Sequence, residues 1–94
     1  MDHTSEIIKR LTYRFIKILI ESTNSELKVP VKFVDIYNDA CRELEGSNDK
    51  YKSYIEMRQY VRDNLLKNGY IFIDTKDIDS IYLTQKAIDE YSDY

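Results

Sequence analysis

The sequence predicts an α+β fold in a single domain over residues 1–94, with a three-helix core, a short first strand, a two-stranded hairpin and a C-terminal helix. Three observations carry this. Residues 53–84, SYIEMRQYVRDNLLKNGYIFIDTKDIDSIYLT, read as an amphipathic helix, a glycine stop, a strand, a polar loop and a second strand. The first twenty residues repeat apolar side chains at steps of three and four, the helical period. A chain of 94 residues with 43% apolar side chains can close one core, near the lower size limit for doing so without staples.

Helix 1 is expected from about Thr4 or Ser5, either of which can cap it with Glu6 in the first turn, to about Ser22. Ile7, Ile8, Leu11, Phe15, Ile18 and Leu19 form its core stripe. Tyr13, Ile16 and Ile20 fall on nearly the opposite side at 100° per residue, where a monomer's surface helix is polar. Helix 1 therefore has a second face to bury, under the C-terminal helix, at the interface of a homodimer, or both. Thr23 to Lys28 is a polar loop, and residues 29–33 read as a short edge strand because Pro30 has no N–H to give a ladder. Helix 2 runs from about Phe33 or Val34 to about Leu44. Its inner stripe is Phe33, Ile36, Ala40 and Leu44, with Tyr37 and Cys41 beside it. Glu45 to Asp49 is a breaker cluster.

Helix 3 is expected from about Tyr54 to Asn68. Ser53 and Glu56 have capping-box spacing, and Tyr54, Met57, Val61 and Leu65 form the inward stripe. Gly69 stands where a left-handed C-cap is needed. Tyr70 to Ile73 and Ile81 to Leu83 are rich in β-formers, and Asp74 to Asp79 joins them as a hairpin tip. The short first strand is expected to pair with this hairpin. Thr84 then caps a last helix carrying Ala87, Ile88 and Tyr91.

Two phrases in this stretch, LLKNGYIFI and IYLTQKAIDEY, resemble the end of the recognition helix and the step from wing to last helix in winged helix-turn-helix proteins. The resemblance covers most of the chain and is to the small prokaryotic, archaeal and viral regulators of that family. Ala87 replaces a glycine common there, which is compatible with a helix running straight on. The resemblance implies a DNA-binding transcription regulator, although a minority of such domains bind only proteins and fold alone does not decide. Nine tyrosines, two glycines and much Ile, Lys, Asn and Asp fit an AT-rich genome such as that of a virus or mobile element.

Charge is polarised. The net charge is −3, whereas neutralising phosphates favours a basic protein. Residues 50–73 nevertheless carry five Lys/Arg against two Asp/Glu, while residues 34–49 carry one against five and residues 74–94 two against six. The locally positive segment coincides with helix 3. On it Gln59 and Arg62 are the candidates for base edges, by the bidentate geometry of amide with adenine and guanidinium with guanine. Lys50, Lys52, Ser53, Tyr60 and Lys67 are the candidates for phosphate. Glu56 and Asp63 on the same face count against DNA binding, and the hairpin tip DTKDID, with Lys76 alone among three aspartates, argues against minor-groove insertion. Lys9, Arg10, Arg14 and Lys17 on helix 1 are further candidates for phosphate. The expected partners are thus duplex DNA and a second copy of the chain, with a protein partner as the alternative.

Enzymatic chemistry has little to build on. His3 is the sole histidine, and two glycines cannot form a phosphate-cradling loop. One cysteine, Cys41, rules out an internal disulfide and a multi-cysteine zinc site, which points to a reducing cytoplasm. No metal or cofactor is expected. No apolar run reaches the roughly 18 residues of a membrane span, and MDHTSEIIKR does not read as a signal peptide.

Overall fold

In the computed structural model, residues 3–44 and 56–92 are described, and they form seven elements in chain order. These are α1 (His3–Thr23), β1 (Val31–Lys32), α2 (Phe33–Leu44), α3 (Arg58–Lys67), β2 (Ile71–Ile73), β3 (Ser80–Leu83) and α4 (Gln85–Tyr91). The molecule is thus a small α+β fold with four helices and a three-stranded antiparallel sheet among the described residues.

The sheet has the order β1-β3-β2, so the first strand pairs with the hairpin as expected. Val31 faces Ile81 and Lys32 faces Ser80; on the other side Ile71 faces Leu83, Phe72 faces Tyr82 and Ile73 faces Ile81. Strand side chains alternate between faces. Ile71, Ile81 and Leu83 enter the core, while Phe72 is 63% exposed on the other face. Pro30 lies just before the edge strand β1, where its missing N–H breaks no ladder.

The core joins Leu11, Phe15, Ile16 and Leu19 of α1 to Phe33, Ile36, Tyr37, Ala40 and Cys41 of α2. Val61 and Leu65 of α3, the sheet residues and Ala87 of α4 complete it. Phe15 packs tilted on Phe33 at 4.9 Å between ring centroids, and Phe33 stacks on Tyr37 at 5.8 Å. Cys41, expected beside the inner stripe of α2, is wholly buried and acts as a small apolar side chain.

Ile16 corrects the expected second face of helix 1. It is fully buried in the chain's own core and offers no surface to a partner. Ile20 is half-buried against the same core, and Tyr13 packs on Tyr91 of α4 at 6.0 Å. The reason is geometric. α1 is packed by α2, α3 and α4 together, so its buried arc is wider than a single stripe.

Helix ends are closed by specific groups. α1 stops at Asn24 and Ser25, which hold φ of 54° and 65°, with the Ser25 amide donating to the Ile20 carbonyl at 3.0 Å. α3 ends at Gly69, φ 74°, as expected. Its start differs from expectation. The boundary residue is Met57, in helical conformation and without a side-chain cap. Ser53 and Tyr54, the other expected cap and core residues, lie outside the described residues, as does the breaker cluster at 45–49.

Candidate nucleic-acid interface

α3 presents the segment Arg58-Gln59-Tyr60 and, about two turns further on, Lys67 to solvent, while Val61 and Leu65 are fully buried beneath. The helix phase read from the sequence is therefore correct. Tyr60 is 64% exposed, unusual for a tyrosine with no partner surface on its own chain. Gln59 is exposed and its amide nitrogen donates to Asp63 Oδ1 at 2.9 Å. Asp63 thus holds the Gln59 amide nitrogen.

The position of α3 is fixed on three sides. Towards α1, Asn68 Nδ2 donates to Asn64 Oδ1 at 2.9 Å, Asn64 Nδ2 donates to Thr12 Oγ1 at 3.2 Å, and the buried Thr12 hydroxyl donates to the Ile8 carbonyl at 2.7 Å. Each member gives and accepts in turn, so the polar chain is satisfied where it leaves solvent. Towards α4, Thr84 caps the helix by accepting from the Ala87 amide at 3.2 Å and donates its hydroxyl to the Gly69 carbonyl at 2.7 Å. Lys86 donates to the Asn68 carbonyl at 2.6 Å, where a cation suits the negative end of the α3 dipole. Together these bonds explain the Leu-Thr-Gln-Lys step: it clamps the end of one helix to the start of the next.

Towards the hairpin, Arg62 Nη2 donates to the Ile78 carbonyl at 2.7 Å, and its guanidinium lies 5.6 Å from the Phe33 ring centroid. Arg62 was expected to point at a base. The structure gives it instead to a strut between α3, α2 and the hairpin loop. Lys50, Lys52 and Ser53 lie outside the described residues.

The hairpin loop spends most of its carboxylates on itself. Asp74 Oδ1 accepts from the Lys76 amide at 2.8 Å, and the Tyr82 hydroxyl donates to Asp74 Oδ2 at 3.2 Å. Asp77 Oδ1 accepts from the Asp79 amide at 3.1 Å, while its Oδ2 accepts from Ser80 Oγ at 2.9 Å and pairs with Lys32. The Lys32 and Ser80 bonds, with the Asp79 amide, hold the Asp77 carboxyl down to about 2. The same hydrogen bond raises the Lys32 ammonium above its ordinary value. These are turn-forming bonds of the Asx kind. The acidic tip that argued against DNA is in good part internal scaffolding.

Spacing alone concealed several residues. The Asn68–Asn64–Thr12 chain needed the α1–α3 contact to be known. The packing of the Tyr70 phenol against Tyr91 and Glu90 of α4, which raises its proton affinity, needed the position of α4 to be known. Exposure of Phe72, between the buried Ile71 and the half-buried Ile73, was legible from strand alternation, and that of Ile78 between Asp77 and Asp79 was not. Among the described residues no helix is long and apolar enough to cross a membrane. No protein-family model matches the chain, and comparison with curated proteins and with solved structures gives no match.

Proposed function

We propose that the protein is a winged helix-turn-helix domain that binds duplex DNA and regulates transcription, with α3 as the helix that enters the major groove. The observation that carries this is the exposed face of Gln59, Tyr60 and Lys67, shared with Glu56 and Asp63, on a helix anchored on three sides and followed directly by an antiparallel hairpin. A rigid helix with an exposed polar face matches the docking geometry of helix-turn-helix proteins. Gln59 is the base-reading residue in this account, Tyr60 and Lys67 hold phosphate with Lys50, Lys52 and Ser53, and Arg62 sets the angle between helix and wing. The resemblance of the LLKNGYIFI and IYLTQKAIDEY phrases supports the same assignment.

A selection of bound sequences from random duplex DNA tests it. A preferred site should emerge, and Gln59→Ala should lose roughly 1–3 kcal/mol on that site with little change on random duplex. A protein that enriches no sequence and is indifferent to Gln59→Ala does not read bases.

A second reading, a winged-helix module that binds a protein, is favoured by one observation. Phe72 and Ile78 on the hairpin are 63% and 68% exposed, large apolar side chains where a DNA-binding wing carries Arg or Lys.

A further inference from the structure

We propose that Asn68 is a site of spontaneous covalent modification: the Gly69 backbone nitrogen attacks the Asn68 side-chain amide, ammonia leaves, and water opens the resulting ring to a carboxylate. The folded end of α3 holds this reaction back, and its product loosens α3 from α1. Asn68-Gly69 is the one Asn-Gly pair in the chain; Asn24, Asn38, Asn48 and Asn64 precede Ser, Asp, Asp and Leu. Glycine matters because the attacking nitrogen must approach the side-chain carbon, and no Cβ on Gly69 obstructs it. The step balances. The Gly69 nitrogen gives up its proton and bonds to Asn68 Cγ, and the side-chain nitrogen departs with that proton as ammonia. Water then cleaves the ring at one of its two carbonyls, leaving aspartate or isoaspartate at position 68. Both residues are half-buried at the helix end, within reach of water.

The fold restrains both reacting groups. The Gly69 amide donates to the Leu66 carbonyl at 3.1 Å and the Tyr70 amide to the Leu65 carbonyl at 2.9 Å, the two bonds of a Schellman end. Asn68 Nδ2 donates to the Asn64 carbonyl at 2.8 Å and to Asn64 Oδ1 at 2.9 Å. Asn68 is held at ψ 0°, where the Gly69 nitrogen eclipses the Asn68 nitrogen rather than Cβ, so the five-membered ring cannot close. The helix end must open first, and opening breaks the three bonds made by the reacting groups.

The product is felt on α1. The polar chain from Asn68 through Asn64 and Thr12 to the Ile8 carbonyl is directional. Asn68 Nδ2 supplies its first proton, and a carboxylate has none to give. Asn64 Oδ1 would then face it, acceptor against acceptor. Turning the Asn64 amide over only moves the fault to Thr12, whose hydroxyl must leave the Ile8 carbonyl to answer it. One bond of the chain is lost either way. The new charge also sits at the negative end of the α3 dipole. Lys86, 2.6 Å from the Asn68 carbonyl, answers the charge but does not restore the missing N–H. The reaction stands independently of DNA binding and is measured without DNA.

Incubation at mildly alkaline pH, with and without enough urea to unfold the protein, followed by peptide mass spectrometry, tests this. In urea Asn68 should convert faster than every other asparagine, to a mixture of aspartate and isoaspartate. In the folded protein the conversion should be slower by on the order of a hundredfold, since each hydrogen bond that must open counts for roughly fivefold. Asn68→Asp reproduces one product directly, and it should unfold at a lower urea concentration than the wild type, with faster amide exchange at the end of α3. Equal rates in the folded and unfolded protein overturn the proposal. So does an Asn68 that converts no faster than the other asparagines in urea, or an Asn68→Asp variant as stable as the wild type.

Discussion

Gly69 adopts φ 74° at the end of α3, and a Cβ there would meet nothing closer than Lys86 Cδ at 3.8 Å. The space is open, so the requirement for glycine is conformational. Gly69→Ala should therefore cost about 1–2 kcal/mol from the backbone alone, and Gly69→Asn less, both read by urea denaturation. Asp77 gives a pH dependence. Its carboxyl titrates near 3.8 when unfolded and near 2 when folded, because Lys32, Ser80 and the Asp79 amide all favour the charged form. A folded value below the unfolded one means that the contribution is complete above about pH 4 and lost as pH falls towards 2. Asp77→Asn should flatten the stability profile in that window and leave its shape at neutral pH unchanged. Asp63 shares the proposed DNA face with Glu56, and its acceptor role to Gln59 explains its presence there. Asp63→Asn should strengthen binding to all duplex sequences by on the order of 1 kcal/mol, the size of one close charge pair in water. Unchanged affinity would place Asp63 away from phosphate.

The elements were legible in unequal measure. α2 runs Phe33–Leu44 as read, because a short strand that follows Pro30 and a strong apolar stripe define both its start and its phase. The hairpin was legible because Gly69 and the polar hexapeptide punctuate two β-rich runs, and Thr84 was recognisable as a cap from its place before Ala87. α1 was legible as a helix but not in its packing. A helical wheel treats the buried arc as one stripe, and Ile16 became core only because three helices surround α1. Arg62 was misjudged for a similar reason. Its type and exposure suit DNA, but the hairpin loop folds back within reach of its side chain. Two substitutions separate packing from positioning on α3. Leu65→Ala should cost about 2–5 kcal/mol, the usual loss for a buried leucine. Arg62→Ala should cost less stability but loosen the loop, so amide exchange should quicken around Ile78.

Across the whole molecule, a net charge of −3 coexists with a positive segment at residues 50–73 and a basic face on α1. Sequence revealed this polarity, while the internal use of Asp74 and Asp77 needed the folded hairpin to be seen. Few phosphates can be neutralised, so affinity for random duplex at physiological salt should be weak and its salt slope shallow. The central claim is that α3 binds duplex DNA, and fluorescence anisotropy of a labelled duplex across a salt series tests it most directly. The account predicts clear binding at low salt, a linear fall of log affinity with log salt, and a slope reduced by about one unit in Lys67→Ala. No binding at the lowest salt, where attraction is strongest, would contradict it and leave the exposed hairpin as the surface on which to seek a protein partner.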